Sequence, residues 1–166
     1  MLPDVLSKGL ALVVCGTAAS AASAAQARYY AGPGNKFWHT LHEIRLTNRL
    51  LAPSECLELL GEGVGLTDLV KDQSGSDSAI AFSEAARSAL QAKIVKFAPA
   101  YVCFNGKRAA QQYFGIRSAV YGLQDARLGR TEFFVAPSTS GAARRYWDVD
   151  MWRDLAARVR RARGAA

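Results

Sequence analysis

Short apolar runs recur along this chain, and the clearest three end at a glycine, an asparagine or a proline. They cover residues 10–15, 100–104 and 133–136, and a weaker run over residues 64–70 contains Asp68. Runs without polar alternation are typical of strands buried on both faces, as in a parallel sheet. The pattern therefore predicts a central, mainly parallel sheet of four strands.

Stretches with the apolar spacing of helices lie between these runs. They cover residues 36–44, 53–60, 83–97, 106–114 and 151–163. The longest begins at Ser83, a residue type that caps helix N-termini. Strands that alternate with helices predict an α/β protein, a three-layer α/β/α sandwich with helices on both faces of the sheet. The polar residues 71–78, rich in glycine and serine, predict a mobile surface loop.

Size and charge narrow the class of protein. With 166 residues, 50% of them hydrophobic and 21% charged, the chain predicts a single globular domain over residues 1–166. The net charge of +7 favours a polyanionic partner such as nucleic acid. An Arg-rich helix face near the C-terminal end is the alternative explanation. No segment has the length of a membrane span, so we expect no membrane partner.

The cysteines and histidines do not form a metal motif. Cys15, Cys56 and Cys103 lack the spacing of a zinc or iron–sulfur site, and His39 and His42 have no evident third ligand. Cys15 and Cys103 fall in apolar runs, which predicts buried free thiols and a reducing compartment. We therefore expect no metal, no cofactor and a cytoplasmic location, associated with the nucleoid if the source is bacterial.

Distinctive segments follow the predicted strands at their carboxyl ends, over residues 16–20, 105–107 and 137–141. In a parallel sheet this edge is where ligands bind. A further segment, from Tyr29 to Trp38, combines an aromatic pair, a Gly-Pro-Gly turn and an asparagine. It would hold an aromatic ring beside a rigid loop, as a pocket for a flat ligand requires.

Five segments in order resemble the uracil-DNA glycosylase superfamily, in particular its mismatch-specific uracil and thymine-DNA glycosylase branch. Residues 29–38 resemble the family's base-stacking loop, and residues 65–70 resemble a strand of its base pocket. Residues 104–107 and 121–124 match patterns of the thymine-type members, and residues 137–144 resemble the minor-groove loop. The resemblance covers nearly the whole chain. It implies a monomeric DNA-repair enzyme that flips uracil out of single- or double-stranded DNA and hydrolyses its N-glycosidic bond. Its products would be free uracil and an abasic site.

One departure concerns the family's first motif, Gly, apolar, Asn, Pro, Gly, whose asparagine positions the attacking water. The matching residues here run from Gly16 to Ser20, and Ala18 stands at the asparagine position. A methyl group cannot orient water, although some branches use a carboxylate elsewhere. One alternative is therefore a binder of uracil- or abasic-DNA with little turnover. Another, outside the family, is a nucleotide-binding α/β protein that uses the same strand-end loops.

The resemblance assigns base binding to Gly16, Ala18, Tyr30, Asn35 and Asn105. Tyr30 would stack on the flipped base, unless it is a buried core aromatic. Asn35 would pair with the pyrimidine edge, cap the helix that follows it, or do part of both.

Three residues are candidates for catalysis. Asp68 would orient water or stabilise the cationic sugar and, if protonated, donate to the base; a capping or surface role is the alternative. Thr17 and Ser20 are further candidates for holding the water. Backbone N–H groups of residues 17–20 would donate to the base carbonyl.

The segment that resembles the minor-groove loop is expected to contact DNA. Ser138 and Ser140 would bind phosphates, and Gly141 belongs to the same loop. Ala142 stands where related enzymes insert a larger wedge. Arg144 or Arg145 would fill the gap left by the flipped base or pair with phosphates, and a solvated arginine pair is the alternative. So small a wedge predicts that single-stranded uracil-DNA is as good a substrate as a mismatch.

Overall fold

A five-stranded sheet forms the centre of the protein in a computed structural model that describes residues 1–164. The strands are β1 (Leu12–Gly16), β2 (Val64–Asp68), β3 (Tyr101–Asn105), β4 (Gly122–Leu128) and β5 (Thr131–Ala136). They lie in the order β2-β1-β3-β5-β4, and all neighbouring pairs are parallel except β4 with β5. The mainly parallel sheet is confirmed, but the prediction of four strands is wrong by one.

The strand that the apolar pattern misses is β4. It lies at the edge of the sheet, pairs only with β5, and most of its side chains are half-buried or exposed. A strand with one unpaired edge and one wet face is commonly polar, which protects the edge against further pairing. Its Gly-Leu-Gln-Asp-Ala-Arg-Leu sequence therefore produces no apolar run.

Helices cover both faces of the sheet. They are α1 (Ala21–Gln26), α2 (Phe37–Glu43), α3 (Glu84–Phe97), α4 (Lys107–Phe114) and α5 (Val149–Gly164), with 3₁₀ helices at Pro53–Glu62, Asp77–Ala79 and Gly141–Tyr146. The expected cap of α3 is present, because the Ser83 hydroxyl accepts a hydrogen bond from the Ala86 N–H at 3.2 Å. The alanine-rich α1 was not predicted, since it has no apolar periodicity.

The strand β1 shows why the sheet needs two helical layers. Leu12 and Val14 join a core on the side of α2 and α5, whereas Val13 and Cys15 join a second core on the side of α3 and α4. Each face of the strand is apolar and requires a cover. The predicted α/β/α sandwich is confirmed.

Other bulk predictions concern the thiols and the membrane. Cys15 and Cys103 are buried free thiols, as expected, and burial raises the pKa of both. Within residues 1–164, no helix combines the length and the apolar character that crossing a bilayer requires.

Candidate active site

A cavity of about 720 Å³ opens where β1, β2, β3 and β5 end. It lies at the sheet edge that the strand pattern indicated. Its walls contain most of the predicted site residues: Gly16, Thr17, Ala18, Ser20, Tyr30, Asn35, Asp68, Asn105, Ser138, Ser140 and Ala142. The distant segments of the sequence are therefore brought together, and their roles stay predictions.

Glycine at position 16 allows the closest approach on the wall of this cavity. Gly16 and Asp68 are register partners at the ends of β1 and β2. A Cβ atom on Gly16 would lie 2.8 Å from Asp68 Oδ1 and 3.4 Å from the Tyr30 hydroxyl oxygen. Only a residue without a side chain leaves room for the carboxylate and the phenol at the same point.

Asp68 is a buried acid without a hydrogen-bond donor in residues 1–164. It is 5% exposed, and burial raises its pKa to about 6, against the opposing charges of Lys71 and Lys93. The negative charge of Asp4 raises the pKa further. A second cavity, of about 90 Å³, also borders Asp68 and Lys71. A carboxyl group that titrates near neutral pH suits general acid–base chemistry.

Behind Asp68 lies an ionic cluster centred on Asp4. Its carboxylate accepts hydrogen bonds from Lys71 Nζ at 2.9 Å, Lys93 Nζ at 2.7 Å and Thr67 Oγ1 at 2.7 Å. Lys71 Nζ also donates to the Tyr29 hydroxyl at 3.0 Å. Burial alone would raise the pKa of Asp4, but the hydrogen bonds outweigh it and lower the pKa.

Tyr30 combines the two interpretations offered for it. Its ring stacks on the buried Phe37 with centroids 4.1 Å apart, and it also lines the cavity. Its backbone has φ +52°, a left-handed conformation that is uncommon for a residue other than glycine. The buried hydroxyl has no hydrogen-bond partner within residues 1–164, and burial and the nearby Asp68 raise its pKa.

The Gly-Pro-Gly turn docks against the loop that follows β5. The Lys36 N–H donates to the Thr139 carbonyl at 2.8 Å, and a Cβ on Gly141 would lie 3.2 Å from the Pro33 carbonyl oxygen. Asn105 holds the same loop: its Nδ2 donates to Thr139 Oγ1 at 2.9 Å, and its Oδ1 accepts from the Thr139 N–H at 3.0 Å. The Asn105 amide is thus largely occupied in positioning the loop.

Two predicted site residues bond the backbone at the start of a helix: Ser20 is the N-cap of α1, and Asn35 precedes Lys36, the N-cap of α2. Asn35 Oδ1 accepts from the Phe37 N–H at 3.0 Å, which leaves the Asn35 NH₂ group for the cavity. Ser20 Oγ accepts from the Ser23 N–H at 3.1 Å and donates to Ser23 Oγ at 3.1 Å. Asn35 therefore bonds the first residue of α2 without occupying its N-cap position, and the Ser20 hydroxyl has little capacity left for a water.

The loop after β5 orders its own serines. Ser138 Oγ accepts from the Ser140 N–H at 3.2 Å, and Ser140 Oγ accepts from the Ala142 N–H at 3.2 Å. Each hydroxyl keeps its proton available for an acceptor. Ala142 is exposed on the cavity wall, while Arg144 and Arg145 are exposed outside it.

A second acid on the wall was not anticipated. Asp77 opens a 3₁₀ helix in the segment predicted as a mobile loop, and its carboxylate faces Thr17 and Arg108. The residue as a whole is exposed, but partial burial of the carboxylate raises its pKa, and Thr17 and Arg108 oppose the rise. Nothing in the sequence distinguishes this aspartate from the other polar residues of the loop, so its position on the cavity wall could not be predicted.

The fold and the site define a class: an α/β/α protein with a strand-end cavity that joins a buried carboxylate to an aromatic ring. The chain belongs to the uracil DNA glycosylase superfamily, whose family model matches residues 3–156. It is similar to the solution NMR structure of a proposed uracil DNA glycosylase from Methanosarcina acetivorans, with 26% identity and a TM-score of 0.62. That match covers 98% of this chain and 96% of the other.

These comparisons confirm the resemblance to the superfamily and support a glycosylase-type function in DNA repair, with DNA as the substrate. The mismatch-specific branch stays a prediction, and so does the assignment of Ala18 to the asparagine position.

Proposed function

We propose that this protein is a monofunctional uracil-DNA glycosylase, which hydrolyses the N-glycosidic bond of uracil in DNA. The observation that carries the proposal is the meeting of Gly16, Asp68 and Tyr30 in one strand-end cavity. Its volume of about 720 Å³ is in the range of small-molecule sites. The products are free uracil and an abasic site, and the protein acts as a monomer.

Recognition begins when the base leaves the helix stack, which costs a few kcal/mol. One face of the Tyr30 ring packs on Phe37, so the ring is held rigidly where it borders the cavity. A base stacked on its other face gains about 1–3 kcal/mol. The Asn35 NH₂ group donates to a carbonyl of the base while its oxygen remains bonded to the Phe37 N–H.

Bond cleavage separates charge between the sugar and the base. The electron pair of the glycosidic bond leaves with uracil, and positive charge develops on the sugar. The Asp68 carboxylate stabilises this charge, orients the water and accepts its proton as the water oxygen bonds to the sugar carbon. Burial strengthens each of these interactions, because water does not screen the carboxylate.

Asp68 takes the place of the amide that Ala18 lacks. Thr17 and Ser20 contribute less to holding the water, Ser20 least, because its hydroxyl already caps α1. On the DNA side, the loop with Ser138, Ser140, Gly141 and Ala142 contacts the backbone beside the flipped base. Arg144 and Arg145 add positive charge next to this loop.

The test is a cleavage assay with a labelled oligonucleotide that contains one uracil, in single-stranded and in duplex form. Release of uracil, followed by strand scission in hot alkali, supports the proposal. The matched control is the same oligonucleotide with thymine, together with the variant Asp125→Asn, which alters an exposed acid on β4.

The second candidate, a binder with little turnover, is favoured by the methyl group at Ala18. A stable complex with uracil-DNA and no released base supports that candidate. If the protein neither binds nor cleaves uracil-DNA, both candidates are wrong.

A further inference from the structure

Cation–aromatic pairs lie on the wall of the large cavity and next to wall residues. Lys107 Nζ lies 4.3 Å from the centroid of the Tyr121 ring, and the Arg145 guanidinium lies 5.8 Å from that of Tyr146. Tyr121, Tyr146 and Lys107 all line the cavity. Tyr146 is 61% exposed, although large aromatic rings are normally covered in a folded protein.

A third pair continues the series beside the first two. Lys36 Nζ lies 5.4 Å from the centroid of the Trp147 ring. Lys36 follows Asn35 in the sequence, and Trp147 follows Tyr146. We call the three pairs, Lys107–Tyr121, Arg145–Tyr146 and Lys36–Trp147, the rim track.

The cations of the rim track differ from four of the five arginines of α5. Arg153 forms ion pairs with Glu43 and Asp150, and Arg158 forms one with Asp154. Arg160 and Arg163 donate to backbone carbonyls. Within residues 1–164, no acidic side chain forms an ion pair with Lys36, Lys107 or Arg145. The charge of Lys107 on the cavity wall, and of Lys36 and Arg145 next to the wall residues Asn35 and Tyr146, is therefore available to an anionic ligand.

We propose that the rim track binds single-stranded DNA, with the nucleotides that flank the flipped base stacked on Tyr146 and Tyr121. This proposal rests on the proposed function and adds that the preferred DNA substrate is single-stranded. Tyr146 is exposed and Tyr121 is half-buried, and each lies beside a cation that forms no ion pair within residues 1–164. Accessible aromatic rings beside such cations are the features with which proteins follow a single strand, because every base has a face to stack and every nucleotide has a phosphate.

Single-stranded DNA fits this surface better than a duplex does. In a duplex the neighbouring bases are already stacked on each other, so an exposed ring adds little. The wedge position holds only the methyl group of Ala142, which fills little of the space that a flipped base leaves in a duplex. On a single strand, the aromatic rings stack on the bases next to the flipped one. This stacking provides binding energy that the small wedge does not provide in a duplex.

The experiment measures the affinity of the full chain for a single-stranded oligonucleotide that carries non-cleavable 2′-fluoro-deoxyuridine, for its duplex, and for an undamaged single strand. In Tyr146→Ala and Tyr121→Ala, we expect single-strand affinity to fall about 5- to 150-fold, the loss of one stacked base. Duplex affinity should change much less. The control Tyr146→Phe keeps the ring and should bind like the unaltered protein.

A second readout reports stacking directly. A 2-aminopurine placed beside the fluorinated uridine is quenched when it stacks on an aromatic ring, and both alanine variants should reduce that quenching. Unchanged single-strand affinity in both variants, or equal losses for single strand and duplex, would overturn the proposal. The undamaged strand needs no uracil recognition, so failure of the glycosylase proposal and failure of the rim track give different results.

Discussion

Asp4 and Asp68 lie near the same two lysines, but the pKa of Asp4 is lowered and that of Asp68 is raised. Both are influenced by the ammonium groups of Lys71 and Lys93. Asp4 accepts hydrogen bonds from both lysines and from Thr67, and its pKa is lowered. The Asp68 carboxylate accepts none within residues 1–164, and burial raises its pKa to about 6.

The two carboxylates differ in burial and in hydrogen bonding: Asp4 is half-buried and hydrogen-bonded, whereas Asp68 is buried with no donor to its carboxylate within residues 1–164, and these differences outweigh the charges that both share. Asp4 is satisfied and stabilises the end of the chain against β2. In the proposed function, the lone pairs of Asp68 are used by a ligand, and its burial carries a cost to stability, as is common for groups in functional sites. Five predictions test this contrast, from the largest expected effect to the smallest.

Replacement of Asp68 by asparagine should have the largest effect. Asp68→Asn keeps the shape but cannot accept a proton, so single-turnover excision of uracil should fall about 10²- to 10⁴-fold. The affinity for DNA should stay within a few-fold, because the amide adds no charge repulsion. Asp125→Asn is the matched control. Unchanged excision in Asp68→Asn would remove the carboxylate from the chemistry.

The same variant should be more stable than the unaltered protein. An acid whose folded pKa is raised from 3.8 to about 6 destabilises the fold above that pH, on the order of 3 kcal/mol when fully ionised. The unaltered protein gains stability as the pH falls through 6 toward the unfolded pKa near 4. Urea unfolding at about pH 8 should therefore favour Asp68→Asn, with the difference vanishing near pH 4. A less stable variant at pH 8 would contradict the account.

Asp4→Asn should behave in the opposite way. It leaves two ammonium groups without their carboxylate, and unfolding should become easier by about 1–3 kcal/mol at neutral pH. Because the folded pKa of Asp4 is lowered, this stabilisation is present above the unfolded pKa and is lost as the pH falls. The pH midpoint of excision should also fall, since a like charge near Asp68 is removed. A midpoint that rises would contradict the claim that the negative charge of Asp4 raises the pKa of Asp68.

Lys71→Met tests how much the positive charge of Lys71 lowers the pKa of Asp68. Without this ammonium group, the pKa of Asp68 should rise, and the pH midpoint of excision should move upward. At about pH 8 the rate should fall less than roughly tenfold, because most of the carboxylate is still ionised. The control is Lys96→Met on the exposed side of α3. The idea fails if both variants shift the midpoint equally.

Tyr30→Phe is expected to have the smallest effect. The hydroxyl it removes is buried without a hydrogen-bond partner in residues 1–164, so stability should be unchanged or higher by about 1 kcal/mol. The ring still packs on Phe37, and the pH midpoint of excision should stay near 6. A midpoint that rises in this variant would show that the hydroxyl donates to Asp68.

The sequence predicted the parts of the molecule that carry a periodic or local signal. Apolar runs indicated the four parallel strands, and their polar ends indicated the cavity edge. The polar edge strand β4 has no such run, and Asp77 and Tyr146 become site neighbours only through the path of their loops. Likewise, the sequence indicates an Arg-rich face on the last helix, but not that the fold pairs Arg153 and Arg158 with acids.

The most direct test of the central claim is the single-turnover rate of uracil release as a function of pH. If ionised Asp68 activates the water, the rate rises with pH through a midpoint near 6 and then reaches a plateau. The same profile should be missing in Asp68→Asn. A rate that is constant across this range, or that falls as the pH rises, would contradict the account.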